Sequence, residues 1–200
     1  MIWQRSSSWP AIFFAIALLA AAPAPPDSNF RASDITGRGY GDAIPTLVDQ
    51  DGRVRTREDF KGHVSLVLFG FTHCPDFCPT TLSKLADVLD RLGEERDRVQ
   101  IDFITVDPER DTSGVLRDYL RAFGPNFVGL TGEPASIRKM AKTFKIFFQK
   151  KPLPGGDYTM DHSTTMYILD PQARVRLMFL ANRPIEDIAH DILQLLRTTS

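Results

Sequence analysis

Two kinds of apolar run alternate along this chain. Residues 64–69 and 99–106 are short, nearly continuous and rich in β-branched and aromatic side chains, the pattern of strands covered on both faces. Elsewhere apolar positions recur every three or four residues. Leu82, Leu85, Val88, Leu89 and Leu92 mark one face of a helix over 80–92, which Gly93 ends. A second helix is expected over 113–123, opened by Asp111 or Thr112 as N-cap. A third covers 134–148, with Ile137, Met140, Ala141, Phe144 and Phe148 on one face, and a fourth closes the chain over 184–196. Shorter strands are predicted at 127–130, 164–169 and 174–180; Asp170-Pro171-Gln172-Ala173 is a type I turn between the last two. Asp51-Gly52 marks a hairpin within 44–54. The Pro/Gly-rich stretch 150–159 reads as a loop, and there is no internal repeat.

The order is therefore a β-hairpin, then βαβαβα, then a second hairpin and a last helix. Helix crossovers between strands make those strands parallel, and the terminal hairpin adds antiparallel ones. The fold class is α/β: a central mixed sheet flanked by helices, with an N-terminal β-hairpin extension.

At 200 residues and 42% apolar content, one domain with a real core is expected. A net charge of −1, with no cluster of cations and interleaved aromatics, speaks against nucleic acid as a partner. The N-terminus changes the picture. Arg5 precedes an uncharged run over 11–22, the length of a signal-peptide core. The Ala20/Ala22 and Ala22/Ala24 cleavage patterns are each followed by proline, which hinders a signal peptidase. Residues 1–24 are thus a signal peptide or an N-terminal membrane anchor, 25–40 a flexible tether and 41–200 the domain. No cysteine lies near the leader, so a lipid-modified cysteine is excluded. Either leader exports the chain, to the periplasmic face of a bacterial inner membrane, anchored or soluble. That compartment is oxidising.

Cys74 and Cys78 are the only cysteines, in the run 69–79 between the first long strand and the first helix. A helix N-terminus lowers thiol pKa values, and a spacing of four puts both sulfurs on one helix face. Two such thiolates either trade electrons as a disulfide or hold a soft metal such as Cu(I). A purely structural disulfide would close a very short loop and gain little. A reactive pair at a strand's carboxyl end in this topology is thioredoxin-like in plan, but with three residues between the cysteines instead of two. Two thiolates under-coordinate most metals, so a third ligand is wanted. His162, before a strand and after the 150–159 stretch, is the best candidate. His73 points away from its neighbour Cys74 in an extended strand; His63 and His190 read as surface or packing residues. Asp76 lies between the thiols as a cap or local charge. Asp107, Glu109 and Asp111 form an acidic turn.

Three blocks together resemble the Sco/SenC family of exported, thioredoxin-like copper proteins. They are Phe69 to Pro79 with both cysteines, Val106-Asp107-Pro108-Glu109-Arg110-Asp111-Thr112, and Asp161-His162-Ser163 leading to Tyr167. The resemblance implies a copper metallochaperone, anchored or periplasmic, that helps build the CuA centre of cytochrome c oxidase subunit II. It implies Cys74, Cys78 and His162 as copper ligands and Asp107 in an acidic turn near the site. An upstream thioredoxin-like reductant and other copper chaperones are the further partners expected. A thiol–disulfide oxidoreductase acting on the oxidase subunit or another exported protein is the alternative. A peroxidase is disfavoured, because Phe71 stands where a Thr-x-x-Cys site has threonine.

Overall fold

A computed structural model describes residues 29–198. The expected leader, 1–24, lies outside the described residues. In chain order the elements are β1 (Ser33–Asp34), β2 (Leu47–Asp49), β3 (Val54–Arg55), β4 (Val64–Gly70), α1 (Phe77–Leu92), β5 (Val99–Thr105), α2 (Ser113–Leu120), β6 (Phe127–Thr131), α3 (Pro134–Thr143), β7 (Phe148–Pro152), β8 (Tyr158–His162), β9 (Thr165–Leu169), β10 (Val175–Leu180) and α4 (Ile185–Thr198). The main sheet runs β1-β10-β9-β4-β5-β6-β2-β3. β4, β5 and β6 are parallel, while β9, β10, β1 and the β2–β3 hairpin are antiparallel additions on the two sides. This is the thioredoxin-like α/β plan, with the hairpin at one sheet edge.

Alternation along β4 explains its continuous apolar run. Val64, Leu66 and Leu68 face a cluster that includes Leu82, Leu85 and Leu89 of α1, Leu116 and Leu120 of α2, and Ile188, Ile192 and Leu195 of α4. Val67 and Phe69 face the opposite cluster, built on Ile137, Met140 and Ala141 of α3 and on Phe144. With both faces covered, no position of the strand is free to be polar except where a partner is supplied. The glycine at the end of β4 answers a packing demand. A Cβ on Gly70 would lie 2.6 Å from Phe103 Cε2 and 2.9 Å from Cys78 Sγ, so the close approach of β4 to α1 excludes any side chain.

From residue 29, the end of the stretch expected as a tether lies on the domain. The Arg31 and Ala32 N–H groups donate to the Asp191 carboxylate at 2.9 and 2.8 Å, and β1 pairs with β10.

Two expectations are corrected. The stretch 150–159 is not simply a loop: β7 and β8 form a separate two-stranded hairpin, and the turn between them contains Gly155 and Gly156, both at positive φ. β7 reads Phe-Gln-Lys-Lys-Pro and is mostly exposed, so it carries no apolar alternation to reveal it. The third helix stops at Thr143 rather than 148. Lys145 takes a left-handed φ of 55°, the Ile146 N–H donates to the Ala141 carbonyl at 2.8 Å and the Lys145 N–H to that of Lys142 at 3.1 Å. This is a complete Schellman stop built without glycine, with Ile146 and Ala141 both buried.

Asp102 of β5 is an isolated acid on the sheet face opposite α1. Its Oδ1 accepts from Gln100 Nε2 at 2.7 Å, while Oδ2 has no hydrogen-bond partner among the described residues. Ser65 Oγ is near enough to favour the anion but out of hydrogen-bonding geometry. Burial dominates and raises the Asp102 pKa from 3.8 to about 6. The stabilisation from keeping this group protonated is full below about pH 4 and is lost as pH rises through about 6, of order 3 kcal/mol in all. Asp102→Asn should therefore leave a protein more stable than wild type at pH 7 and nearly equal to it at pH 4. Urea unfolding of both proteins at the two pH values checks this, and an Asn variant destabilised at pH 7 would refute it.

Candidate functional site

The cysteine loop hangs from the carboxyl ends of β4 and β5. The Val106 N–H donates to the Gly70 carbonyl at 2.8 Å, tying the two strand ends, and the Cys74 N–H donates to the Phe71 carbonyl at 3.3 Å. Helix α1 begins at Phe77, three residues earlier than periodicity indicates, because its first turn holds a cysteine and a proline in place of an apolar face. Pro79 has no N–H to lose there. Cys78 thus lies inside the helix, and its otherwise orphaned backbone N–H donates to Cys74 Sγ at 3.3 Å. Asp76 is the residue before the helix; its carboxylate accepts from Thr80 Oγ1 at 3.3 Å and does not cap the backbone.

Both cysteines carry free thiols and differ sharply in exposure: Cys74 is half-buried, Cys78 2% exposed. The expectation that the helix terminus lowers both thiol pKa values fails for Cys78. Burial is the largest influence on it and pushes its thiol up; the Phe71 backbone works the other way, and Cys74 adds to the rise. A helix field of about half a charge does not offset desolvation at a nearly inaccessible sulfur.

His162 ends β8, half-buried, where it pairs with Phe148. Its Nδ1 lies 2.9 Å from the Ser163 carbonyl. A carbonyl only accepts, so Nδ1 carries the proton and Nε2 keeps a free lone pair. Burial shifts the His162 pKa down, which favours the neutral ring. The imidazole meets Phe71 edge-on, ring centroids 5.9 Å apart at 87°. Phe71 and Cys74 both contribute to the same apolar cluster. Among the described residues no three His, Cys, Asp or Glu side chains stand together in ligating geometry. The donor chemistry, two sulfurs and one imidazole nitrogen, fits a soft metal, although the three are not gathered in ligating geometry.

The remaining histidines lie elsewhere in hydrogen-bonding terms. His73 is exposed, its Nδ1 3.2 Å from Thr72 Oγ1. His63 precedes β4 at the other end of the sheet, and His190 Nε2 lies 3.0 Å from the Asn29 carbonyl.

Sequence reading treats the acidic turn as caps, and it does more. Thr112 is the N-cap of α2, its hydroxyl accepting from the Val115 N–H. Asp111, fully buried, instead reaches the cysteine loop: it accepts from Thr72 Oγ1 at 2.6 Å, the Thr72 N–H at 3.0 Å and Thr105 Oγ1 at 2.6 Å. Asp107, also buried, accepts from Tyr158 O–H at 2.9 Å, on the strand that carries His162. The only sequence signal for these roles is two aspartates four apart directly after a buried strand. Among the described residues no helix is long and apolar enough to cross a membrane.

Comparison with known proteins bears on the chain as a whole. The SCO1/SenC family model matches residues 43–197. A SCO2-like protein of Rickettsia felis is 38% identical over 143 residues, covering 70% of each chain. Bradyrhizobium japonicum ScoI, solved with copper bound, superposes with a TM-score of 0.70 at 41% identity, covering 75% of this chain and 96% of that one. BsSco, described as a member of the Sco family of cytochrome c oxidase assembly proteins with a disulfide switch, matches at 28% identity and a TM-score of 0.66, over 84% and 98% of the two chains. With a family model spanning most of the domain and relatives of this identity on the same fold, the chain belongs to the SCO1/SenC family.

Proposed function

We propose that this protein is a copper metallochaperone in which Cys74, Cys78 and His162 bind the metal as cargo. The observation that carries the reading is the donor set: two free thiols at one helix start, and an imidazole whose Nε2 lone pair is left free by the Ser163 contact. Thiolates suit Cu(I), and adding an imidazole suits Cu(II), so one site serves both states. The copper-bound ScoI structure of Bradyrhizobium japonicum supports the choice of metal. The recipient is the CuA centre of cytochrome c oxidase subunit II, at the periplasmic face of the inner membrane, with other copper chaperones as the source. The description of BsSco supports the oxidase as the destination.

Metal uptake needs both sulfurs reduced. Converting a Cys74–Cys78 disulfide to two thiols takes two electrons and two protons, the task of an upstream thioredoxin-like reductant. A second reading draws on the unequal exposure of the sulfurs. A half-exposed Cys74 and a buried Cys78 are arranged as an attacking and a resolving thiol, which is how a thiol–disulfide oxidoreductase of the oxidase subunit would work.

The two readings part at His162. Anaerobic titration of the reduced protein should show one copper per chain, and His162→Ala should weaken Cu(II) binding by more than the about 10–100-fold typical of an outer-shell partner. Dithiol reductase activity should be unchanged in that variant. Equal copper affinity in wild type and His162→Ala would remove the histidine from the site; no specific copper binding by the reduced wild type would leave the oxidoreductase as the better account.

A further inference from the structure

We infer that Arg110 is a positioning residue, a latch that holds the His162 hairpin against the same turn that holds the cysteine loop. The inference rests on the three-ligand copper reading above. Arg110 sits in the turn between β5 and α2, its side chain only 18% exposed. Its Nε donates to Asp107 Oδ2 at 2.5 Å, and its Nη1 donates to the Tyr158 carbonyl at 3.0 Å and to Asp157 Oδ1 at 3.3 Å. The guanidinium carbon lies 3.7 Å from the centre of the Tyr158 ring. Tyr158 in turn donates its O–H to Asp107 Oδ1, closing a ring of contacts between turn and strand. On the other strand of the hairpin, Lys150 Nζ donates to Glu109 Oε2 at 2.6 Å. Both strands of β7–β8 are thus gripped by residues 107–110.

The grip matters because of what each side of the turn carries. Tyr158 and His162 are the two ends of β8, and alternation puts them on one face of that strand. The hairpin is not part of the main sheet, so it lacks a sheet ladder to locate it. Immediately after Arg110, Asp111 fixes Thr72, two residues before Cys74. A single turn therefore references the histidine and the thiols to each other, although the chain separates them widely. Arginine suits the task better than lysine: a planar guanidinium stacks on the tyrosine and still donates from its edge.

The test uses the full reduced chain as wild type, Arg110→Ala, Arg110→Lys, His162→Ala and the Arg110→Ala/His162→Ala double variant, with two readouts. The first needs no metal: hydrogen exchange of the apo proteins. The β7–β8 amides should exchange at least about tenfold faster in Arg110→Ala, and in Arg110→Lys as well, while β4 and β5 amides stay protected. The second is Cu(II) affinity, expected to fall about 10–100-fold in Arg110→Ala but by nothing further when His162 is already alanine. Unchanged hairpin exchange overturns the latch. So does an Arg110→Ala cost of the same size with and without His162, which would mean that Arg110 acts elsewhere. Failure of the copper reading itself is seen separately, in wild type against His162→Ala; it would remove the purpose of the latch, while the exchange data would still report whether the hairpin is held.

Discussion

Cys78→Ser is expected to abolish specific copper uptake and leave a folded protein. A serine hydroxyl is not ionised at neutral pH and is a hard, weak donor, so the site loses half of its soft ligands. The loss should exceed that of His162→Ala, since one sulfur and one nitrogen cannot replace a dithiolate for Cu(I). Stability should change little by comparison. The Cys78 side chain is buried against the end of β4, and an unpartnered hydroxyl there costs about 1–3 kcal/mol. The backbone N–H of residue 78 still has Cys74 Sγ as acceptor, so the helix start survives. Copper titration of the reduced variant, beside its circular dichroism and urea midpoint, is the measurement. A variant that binds copper like wild type would exclude Cys78 as a ligand. One that unfolds without a loss of affinity in its folded fraction would favour a structural role for the pair.

The largest stability effect is expected at Asp111→Ala. Both carboxylate oxygens are used, on three donors: the Thr72 N–H, the Thr72 hydroxyl and the Thr105 hydroxyl. Truncation strands these donors around a fully buried carboxylate position, the Thr105 hydroxyl itself buried and the Thr72 groups partly so, and each unmet buried group costs about 1–3 kcal/mol. A total of about 3–5 kcal/mol is a large part of a small domain's stability. The effect should also be local. Thr72 leads into Cys74, so the cysteine loop should lose hydrogen-exchange protection before the sheet does, and copper binding should weaken with it. Asp111→Asn is the informative companion: it keeps one acceptor oxygen and should recover part of the stability. An Asp111→Ala protein as stable as wild type would refute the account of this turn.

How far the sequence reveals such effects varies by element. β4, β5, α1 and the β9–β10 hairpin are legible because each has a strong period or a definite turn, and in each the tertiary environment agrees with the local preference. The cysteine pair is legible for the same reason, since its place between a strand and a helix is a local fact. The β7–β8 hairpin is not. Its first strand is exposed, lysine-rich and outside the main sheet, so no buried face imposes alternation on it. The end of α3 is equally hidden: Lys145 takes a conformation that favours glycine, and only its backbone hydrogen bonds disclose the stop.

The sequence by itself determined the order of the main-sheet strands from β2 onward and of the helices, the fold class, and the identity and spacing of the two sulfurs, because propensity, periodicity and turn chemistry act over a few neighbouring residues. Tertiary structure alone decided how those sulfurs differ and what steadies the groups around them. It buried Cys78, and desolvation then outweighed the helix terminus. It also placed Asp111 on Thr72, 39 residues away, and Arg110 on Tyr158, 48 residues away. Such contacts depend on where parallel strands end in space, and no local pattern encodes that distance.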